Sequence, residues 1–504
     1  METDKKRKFN KFSLFLLPSL ALLVVAVIIC VKGSVRDAGQ VSVRGKYQAK
    51  TAEMRRRLDE DAEAEKLKAV ENAQNLREQA AQSKLVRSPL VTPVGDGQDD
   101  VTVMIYMNGS NLETFNGFAS EDIYEMMYAE SNPKLHILIQ TVGTMEWQDH
   151  GIASDHSQRY EIKNNKLVLL DDSLPQLDCT IPETLTDFLN WGGSLYDSDR
   201  YFLVLWDHGG GSVDGFGYDE WQEEDDSLTM DEIVQSLYNS GMKFDFIGMD
   251  ACIMSSIEVC YALYDYCDYC VLSEDFESAL GWSYNGWLSA LAQDTSIETP
   301  KLAKILIDDM IRDIGANDFG SSSTLALIDE RYIPAAFDAW MNFAYANEDS
   351  LLSINYSREV ERSGRARPTP SDKVSYDLGM YYITDILALA VSISSPQTKS
   401  LVSKLSNCVA YYNCSADNIG LTGISVTLPY GDNDFYASLE KVFAGIGINK
   451  QYVQWLGNFQ TQAAKENYNN YYNYYDFDEE WSGWDDFDYE DWYDEEESED
   501  DWDW

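Results

Sequence analysis

Between residues 100 and 290 the chain alternates two kinds of pattern. "VTVMIYMNGS" (101–110), "KLHILIQTVG" (134–143), "RYFLVLW" (200–206) and "KFDFIGM" (243–249) are short, almost wholly apolar, and rich in β-branched and aromatic residues. Such runs read as strands covered on both faces, as in a parallel sheet. Between them "TFNGFASEDIYEMMYAE" (114–130), "PETLTDFLNWGGSLY" (182–196) and "TMDEIVQSLYNSG" (229–241) space their apolar residues as amphipathic helices do. One stretch differs: "SQRYEIKNNKLVLLDDS" (157–173) alternates polar and apolar residues on either side of Asn-Asn, the signature of an antiparallel hairpin. The alternation predicts an α/β domain, a mostly parallel sheet with helices on both faces.

Two strand ends carry chemistry. His208 leaves the strand 200–206 and is followed by Gly209, Gly210 and Gly211; Cys252 leaves the next strand, 243–249, in "DACIMSSIEVCYALYDYC" (250–267). Parallel neighbours bring their carboxyl ends to one sheet edge, where open α/β sheets bind ligands. A thiol beside an imidazole is a nucleophile with its base, and a helix starting immediately behind Cys252 would lower the thiol pKa. The glycine amides and the Cys252 amide could hold an oxyanion. Cys260 and Cys267, seven apart, fall on one face of that helix, where small apolar packing explains them. Cys267-x-x-Cys270 has no second half to make a zinc site. His136, His150 and His156 have no comparable setting.

Together "YFLVLWDHGGG", the Asp-Ala-Cys-x-Met of "MDACIMSSIEVCYAL", "YCVLSEDFESALGWSYNGWL" (269–288) and "GLTGISVTLPY" (420–430) resemble the clostripain family of cysteine endopeptidases, relatives of the caspase, legumain and gingipain fold. The likeness covers about residues 100–460. It implies a caspase-like fold, His208 as general base, Cys252 as nucleophile, and the Gly209 and Cys252 amides as oxyanion donors. By the same resemblance Asp250 lines the pocket that selects Arg or Lys at the cleavage site, and a carboxylate suits a guanidinium there. An Asp ahead of a helix also serves as an N-cap, so both readings of Asp250 stand. The chemistry needs no cofactor. Some family members need calcium, and oxygen ligands such as "DEWQEEDD" (219–226) are plentiful, but no spaced calcium loop is visible. Family members are commonly activated by self-cleavage between the histidine and cysteine strands, yet from Gly209 to Ala251 the only basic residue is Lys243. Activation is therefore expected elsewhere, for example at Arg55–Arg57, or the enzyme works unprocessed.

The flanks change the picture of where it works. Residues 1–11 are basic, and an apolar, uncharged run from Phe12 to Val31 is long enough to cross a bilayer, which places an anchor over 12–32 with no signal-peptide cleavage site after it. The charge asymmetry puts the N-terminus in the cytoplasm and the rest outside, on a single-pass anchor that suggests a bacterial envelope. Residues 33–99 read as a helical stalk and a Pro/Gly linker, 100–466 as the peptidase domain, and 467–504 as a disordered acidic, aromatic tail. The net charge of −48 is spread as +6 over residues 1–98, −37 over 99–466 and −17 over 467–504. A chain this acidic repels nucleic acid, whereas its tail suits a cationic or cell-wall surface.

Three readings follow. The favoured one is a membrane-anchored, extracytoplasmic cysteine endopeptidase acting on protein or peptide substrates after Arg or Lys through His208 and Cys252. The second is a non-catalytic surface scaffold that presents the tail. The third is a thiol hydrolase or transferase of small amides, which would leave Asp250 without a purpose.

Overall fold

A computed structural model of the chain describes residues 93–222, 227–317, 323–356, 382–429 and 433–475. The expected anchor lies outside the described residues, as do the expected stalk and linker (33–99) up to residue 92 and the expected tail (467–504) from 476 on; residues 467–475, expected disordered, are helical. Among the described residues no helix is long and apolar enough to cross a membrane. The last helix, Lys450–Tyr475, runs past the expected domain end at 466.

The apolar runs form the middle of one nine-stranded sheet. β1 (Val101–Asn108), β2 (Leu135–Val142), β5 (Arg200–Trp206), β6 (Phe244–Asp250) and β7 (Cys267–Leu272) are its parallel core, flanked by β3 (Gln158–Ile162) and β4 (Leu167–Asp171) on one side. On the other side lie β8 (Thr324–Asp329) and β9 (Val409–Cys414), giving the order β9-β8-β7-β6-β5-β1-β2-β3-β4. The sheet is thus mixed: all four outer strands are antiparallel to their neighbours, which corrects the expected mostly parallel sheet. For β3 and β4 the reason is local. Asn164 and Asn165 sit at φ 51° and 61°, the left-handed pair that a two-residue hairpin requires.

Helices cover both faces, which is why the central strands show no polar alternation. On one face Val103, Ile105, Phe202, Val204 and Phe246 pack on α2 (Phe118–Tyr128), α6 (Tyr284–Gln293) and α7 (Thr299–Asn317). On the other Met104, Tyr106, Leu203, Leu205, Ile247 and Met249 pack on α3 (Pro182–Leu195), α4 (Met230–Ser240), α5 (Ile257–Leu263) and α8 (Ile333–Ala346). The periodic stretch 114–130 is two helices, because Gly117 at φ 70° ends α1 (Ser110–Asn116) before α2 begins. At α4 the Thr229–Glu232 capping box fixes the start.

The helix behind Cys252 is displaced. Ile253 turns at φ 55°, and Ile253 and Ser255 donate their amides to the carbonyls of Asp275 (2.9 Å) and Ser273 (2.6 Å) instead of coiling. α5 therefore starts only at its N-cap Ser256, whose hydroxyl accepts from the Val259 amide. It ends at Leu263, so Cys260 and Cys267 share no helical face: Cys267 opens β7, its sulfur 3.6 Å from that of Cys270, and all three are buried free thiols.

The acidic composition also reaches the interior. Burial pushes Glu258 up to about 8 and Asp250 up to about 7, and raises Asp122, Asp207 and Glu274 well above the usual carboxyl range. A carboxyl raised in the fold contributes stability that is complete below its unfolded pKa of about 4 and is lost as pH climbs through the folded value. The carboxyls lowered by partners, such as Asp149 and Asp155, are exposed and offset little of this. The melting temperature is therefore expected to fall by several degrees between pH 5.5 and pH 8.5 in thermal unfolding followed by circular dichroism. An equal or higher value at pH 8.5 would contradict the account.

Candidate active site

β5 and β6 pair in parallel with Trp206 opposite Asp250, so both chains leave the sheet at the same edge, two residues before His208 and Cys252 respectively. The two exits touch backbone to backbone. A Cβ on Gly209 would lie 1.9 Å from the Cys252 carbonyl oxygen, 2.9 Å from its carbon and 3.0 Å from its nitrogen, so only glycine fits there. Gly209 also bridges to Phe216, and the Gly217 amide donates to the His208 carbonyl at 2.9 Å, which holds the glycine loop in place.

His208 keeps 43 % of its side chain exposed at this edge. Its Nε2 bonds to Asn111 Oδ1 at 2.8 Å, and its ring stacks on Tyr218 with centroids 5.7 Å apart. Desolvation holds its pKa below the ordinary imidazole value of 6.5. The Cys252 sulfur accepts from the Glu277 amide at 3.3 Å, and burial, then the Glu277 carboxyl, push its thiol up to about 12. This corrects the expected lowering by a helix start, since α5 begins only at Ile257 and leaves Cys252 half-buried in the turn before it. Among the described residues no hydrogen bond joins imidazole to thiol. The resting groups are a neutral base and a neutral thiol on one edge.

Asp250 is not a helix cap: it is the last residue of β6, 5 % exposed, and Ser256 caps α5. Its Oδ2 accepts from the Trp282 amide at 3.1 Å and the Tyr284 hydroxyl at 2.9 Å. Around it stand further carboxyls. Asp122 accepts from Trp206 Nε1 at 2.6 Å, Glu125 accepts from the Tyr284 amide at 2.7 Å, and Glu277, half-buried as a residue, has both carboxyl oxygens buried. Beside them lies a cavity of about 230 Å³ lined by Glu121, Asp122, Glu125, Asp313, Gly281 and Trp282, with no Lys or Arg among the described residues of its wall, though Arg312 bonds Asp313 at 2.8 Å. Gly281, at φ 64°, separates it from Asp250: a Cβ there would come within 3.2 Å of both Asp250 oxygens and 3.4 Å of Asp122 Oδ2. Burial raises Asp250 and Asp122, and crowding by like charges adds to it.

Among the described residues no group of three or more His, Cys, Asp or Glu side chains is placed to hold a metal ion, and residues 223–226 of the acidic loop lie outside them. Lys243 is held by Asp268 at 2.7 Å, next to the start of β6. The residues that sequence reading passed over are Asn111, Tyr218, Asp122 and Glu277. For Asn111 a signal existed, because "NGSN" follows β1, and β1 is the other parallel neighbour of β5, ending at the same edge.

A profile of the clostripain family matches residues 105–492. A clostripain from Hathewaya histolytica is 29 % identical over 189 residues, which span 32 % of this chain and about a third (35 %) of that protein. Two solved structures share the fold at 17 % identity and a TM-score of 0.52. One is a secreted C11 cysteine protease from Bacteroides thetaiotaomicron in complex with an irreversible peptide inhibitor, aligned over 69 % of this chain and 99 % of that one. The other is an inactive zymogen C11 protease from Parabacteroides distasonis, aligned over 69 % and 98 %. With the family profile covering residues 105–492, most of its length, the chain belongs to the clostripain family.

Proposed function

We propose that this protein is a cysteine endopeptidase that cleaves after Arg or Lys. The observation that supports it best is the shared exit of β5 and β6, which puts His208, Gly209 and Cys252 on one edge with the two backbones in contact. His208 takes the Cys252 proton as the sulfur attacks the scissile carbonyl carbon, and the Gly209 and Cys252 amides receive the developing oxyanion. The carbon–nitrogen bond then breaks, and the imidazolium returns its proton to the departing amine. Water, deprotonated by the same imidazole, attacks the thioester and releases the acid and the thiol. A thiol near 12 and a lowered imidazole suit general-base activation at the moment of attack rather than a standing thiolate.

Asp250 and its neighbours supply the selection. A buried carboxyl cluster with no Lys or Arg among the described residues that line the adjoining cavity is uncomfortable until a guanidinium or ammonium enters, and the incoming charge favours the ionised form. In the same reading residues 12–32 anchor the chain with its catalytic domain outside the cytoplasm, and the acidic aromatic tail engages a cationic surface of the envelope.

Fluorogenic peptides ending in Arg, Lys, Asp or Leu test this with the full chain in detergent, with calcium and with a chelator. Cleavage after Arg or Lys that is absent in Cys252→Ala is the expected result; a loss with chelator that added calcium restores would show a calcium requirement. Silence from folded protein without internal cuts, under all these conditions, would favour the scaffold reading. Asp250→Asn is expected to lower kcat/KM on Arg peptides by about 10- to 100-fold while sparing any Leu cleavage. KM for Arg peptides should fall as pH rises from 6 to 8, through the value near 7 that burial gives Asp250; an unchanged Arg-to-Leu ratio would remove Asp250 from the pocket. Gly209→Ala should keep the circular dichroism spectrum and lose at least about 100-fold in kcat, because its methyl displaces the Cys252 backbone.

A further inference from the structure

The imidazole of His208 has two nitrogens, and only one can face a thiol. The other is occupied: Nε2 lies 2.8 Å from Asn111 Oδ1, an oxygen that accepts and cannot donate. The hydrogen must then be on Nε2, which leaves Nδ1 with the free lone pair.

The placement of Asn111 is built into the fold. β1 ends at Asn108 beside β5, with Met107 opposite Trp206, so the chain turns at the edge where His208 emerges. Ser110 turns at φ 40°, and its hydroxyl donates to Asp207 Oδ1 at 2.6 Å, tying the first turn of α1 to the residue before the histidine. Asp207 Oδ2 accepts the Tyr218 amide at 3.1 Å, and the Tyr218 ring covers one face of the imidazole. Two contacts therefore hold the ring, Asn111 of α1 and Tyr218 after the glycine loop, and Asp207 braces both segments through Ser110 and the Tyr218 amide.

Resting on the endopeptidase reading, we infer that Asn111 is the positioning residue of this enzyme, holding His208 as the Nε2–H tautomer so that Nδ1 serves as the base for Cys252. A neutral amide does this without charging the ring. A carboxylate in its place would favour the imidazolium and remove the base at mildly acidic pH. The other groups facing the ring are Asp207, whose Oδ1 is 4.0 Å from Nε2 and which burial keeps toward its neutral form, and the phenol of Tyr218.

Two measurements test it on the full chain in detergent. The first needs no activity: long-range proton–nitrogen correlation spectra of histidine-labelled protein, which contains four histidines. His208, assigned by its loss in His208→Ala, should show a protonated Nε2 and a bare Nδ1, and in Asn111→Ala the two nitrogens should average. A wild-type Nδ1–H pattern, or no change in the variant, overturns the inference whatever the peptidase assay shows. The second is kinetic. Asn111→Ala should lower kcat on the Arg peptide by about 10- to 100-fold with little change in KM. Asn111→Asp should recover most of that loss at alkaline pH while its acid limb of kcat/KM moves above the wild-type one. An acid limb that stays in place in Asn111→Asp, or full kcat in Asn111→Ala, also overturns it. If no peptide is cleaved by wild type, the endopeptidase reading fails, and the spectra alone decide the role of Asn111 toward His208.

Discussion

The site depends on one close approach, the backbone of Gly209 lying against the backbone of Cys252. Parallel pairing of β5 and β6 brings the two exits near each other, but pairing alone would leave a side-chain-sized gap between them. Removing the Cβ at position 209 closes that gap, since any other residue would put a methyl 1.9 Å from a carbonyl oxygen. Sheet register then becomes site geometry. Trp206 opposite Asp250 delivers the segments that carry His208 and Cys252 to one edge, and a slip of one residue would turn the paired strand side chains to the other face. The amino ends of the same strands are stapled by Arg200, whose guanidinium bonds Asp245 at 2.8 Å and the Thr295 and Ile297 carbonyls at 2.9 and 2.8 Å. One end of the strand pair is locked by charge and the other by the absence of a side chain.

The electrostatics of the edge follow from dryness. Burial disfavours ionisation of every group it encloses, so it lifts the thiol and the carboxyls and lowers the imidazole. The consequence differs by role. For His208 and Cys252 it gives a neutral pair that separates charge only when a carbonyl is present to receive the electrons. For Asp250, Asp122 and Glu277 it gives a cluster whose most favourable partner is a cation from outside, since no Lys or Arg is among the described residues that line the adjoining cavity. A chain of net charge −48 has few basic residues to spare for its own interior, and Arg200 is already engaged elsewhere.

What the sequence made legible and what it concealed divide along one line. Four of the five parallel strands, β1, β2, β5 and β6, were readable because burial on both faces demands unbroken apolar runs, and the hairpin because two consecutive residues with positive φ call for Asn-Asn; β7 was not, since "YDYCDYCVL" carries acids and runs straight on from helix-forming sequence. The edge strands β8 and β9 were not, since nothing local sets their direction. The turn after Cys252 was hidden for a similar reason: "SSIEVCYAL" is good helix sequence, and what unwinds its approach is hydrogen bonding of Ile253 and Ser255 to a segment twenty residues away. At the site, His208 and Cys252 could be found as strand ends followed by glycine or by a turn. Asp122 and Glu277 could not, because each reaches Asp250 from an element whose neighbourhood only the tertiary structure defines.

Asn111 falls between these cases, and it shows how far the edge rule extends. If β5 and β6 bring their carboxyl ends together, β1, on the other side of β5, must deliver its own loop to the same place. The loops that reach a given catalytic group are then those of its two sheet neighbours, one supplying the nucleophile and the other a partner for the remaining nitrogen of the base. A polar side chain was bound to arrive there, since a half-buried imidazole nitrogen left without one costs free energy. That an amide fills the position rather than a carboxylate fits an edge already crowded with acids, where one more negative charge would tip the base toward its inactive, protonated form.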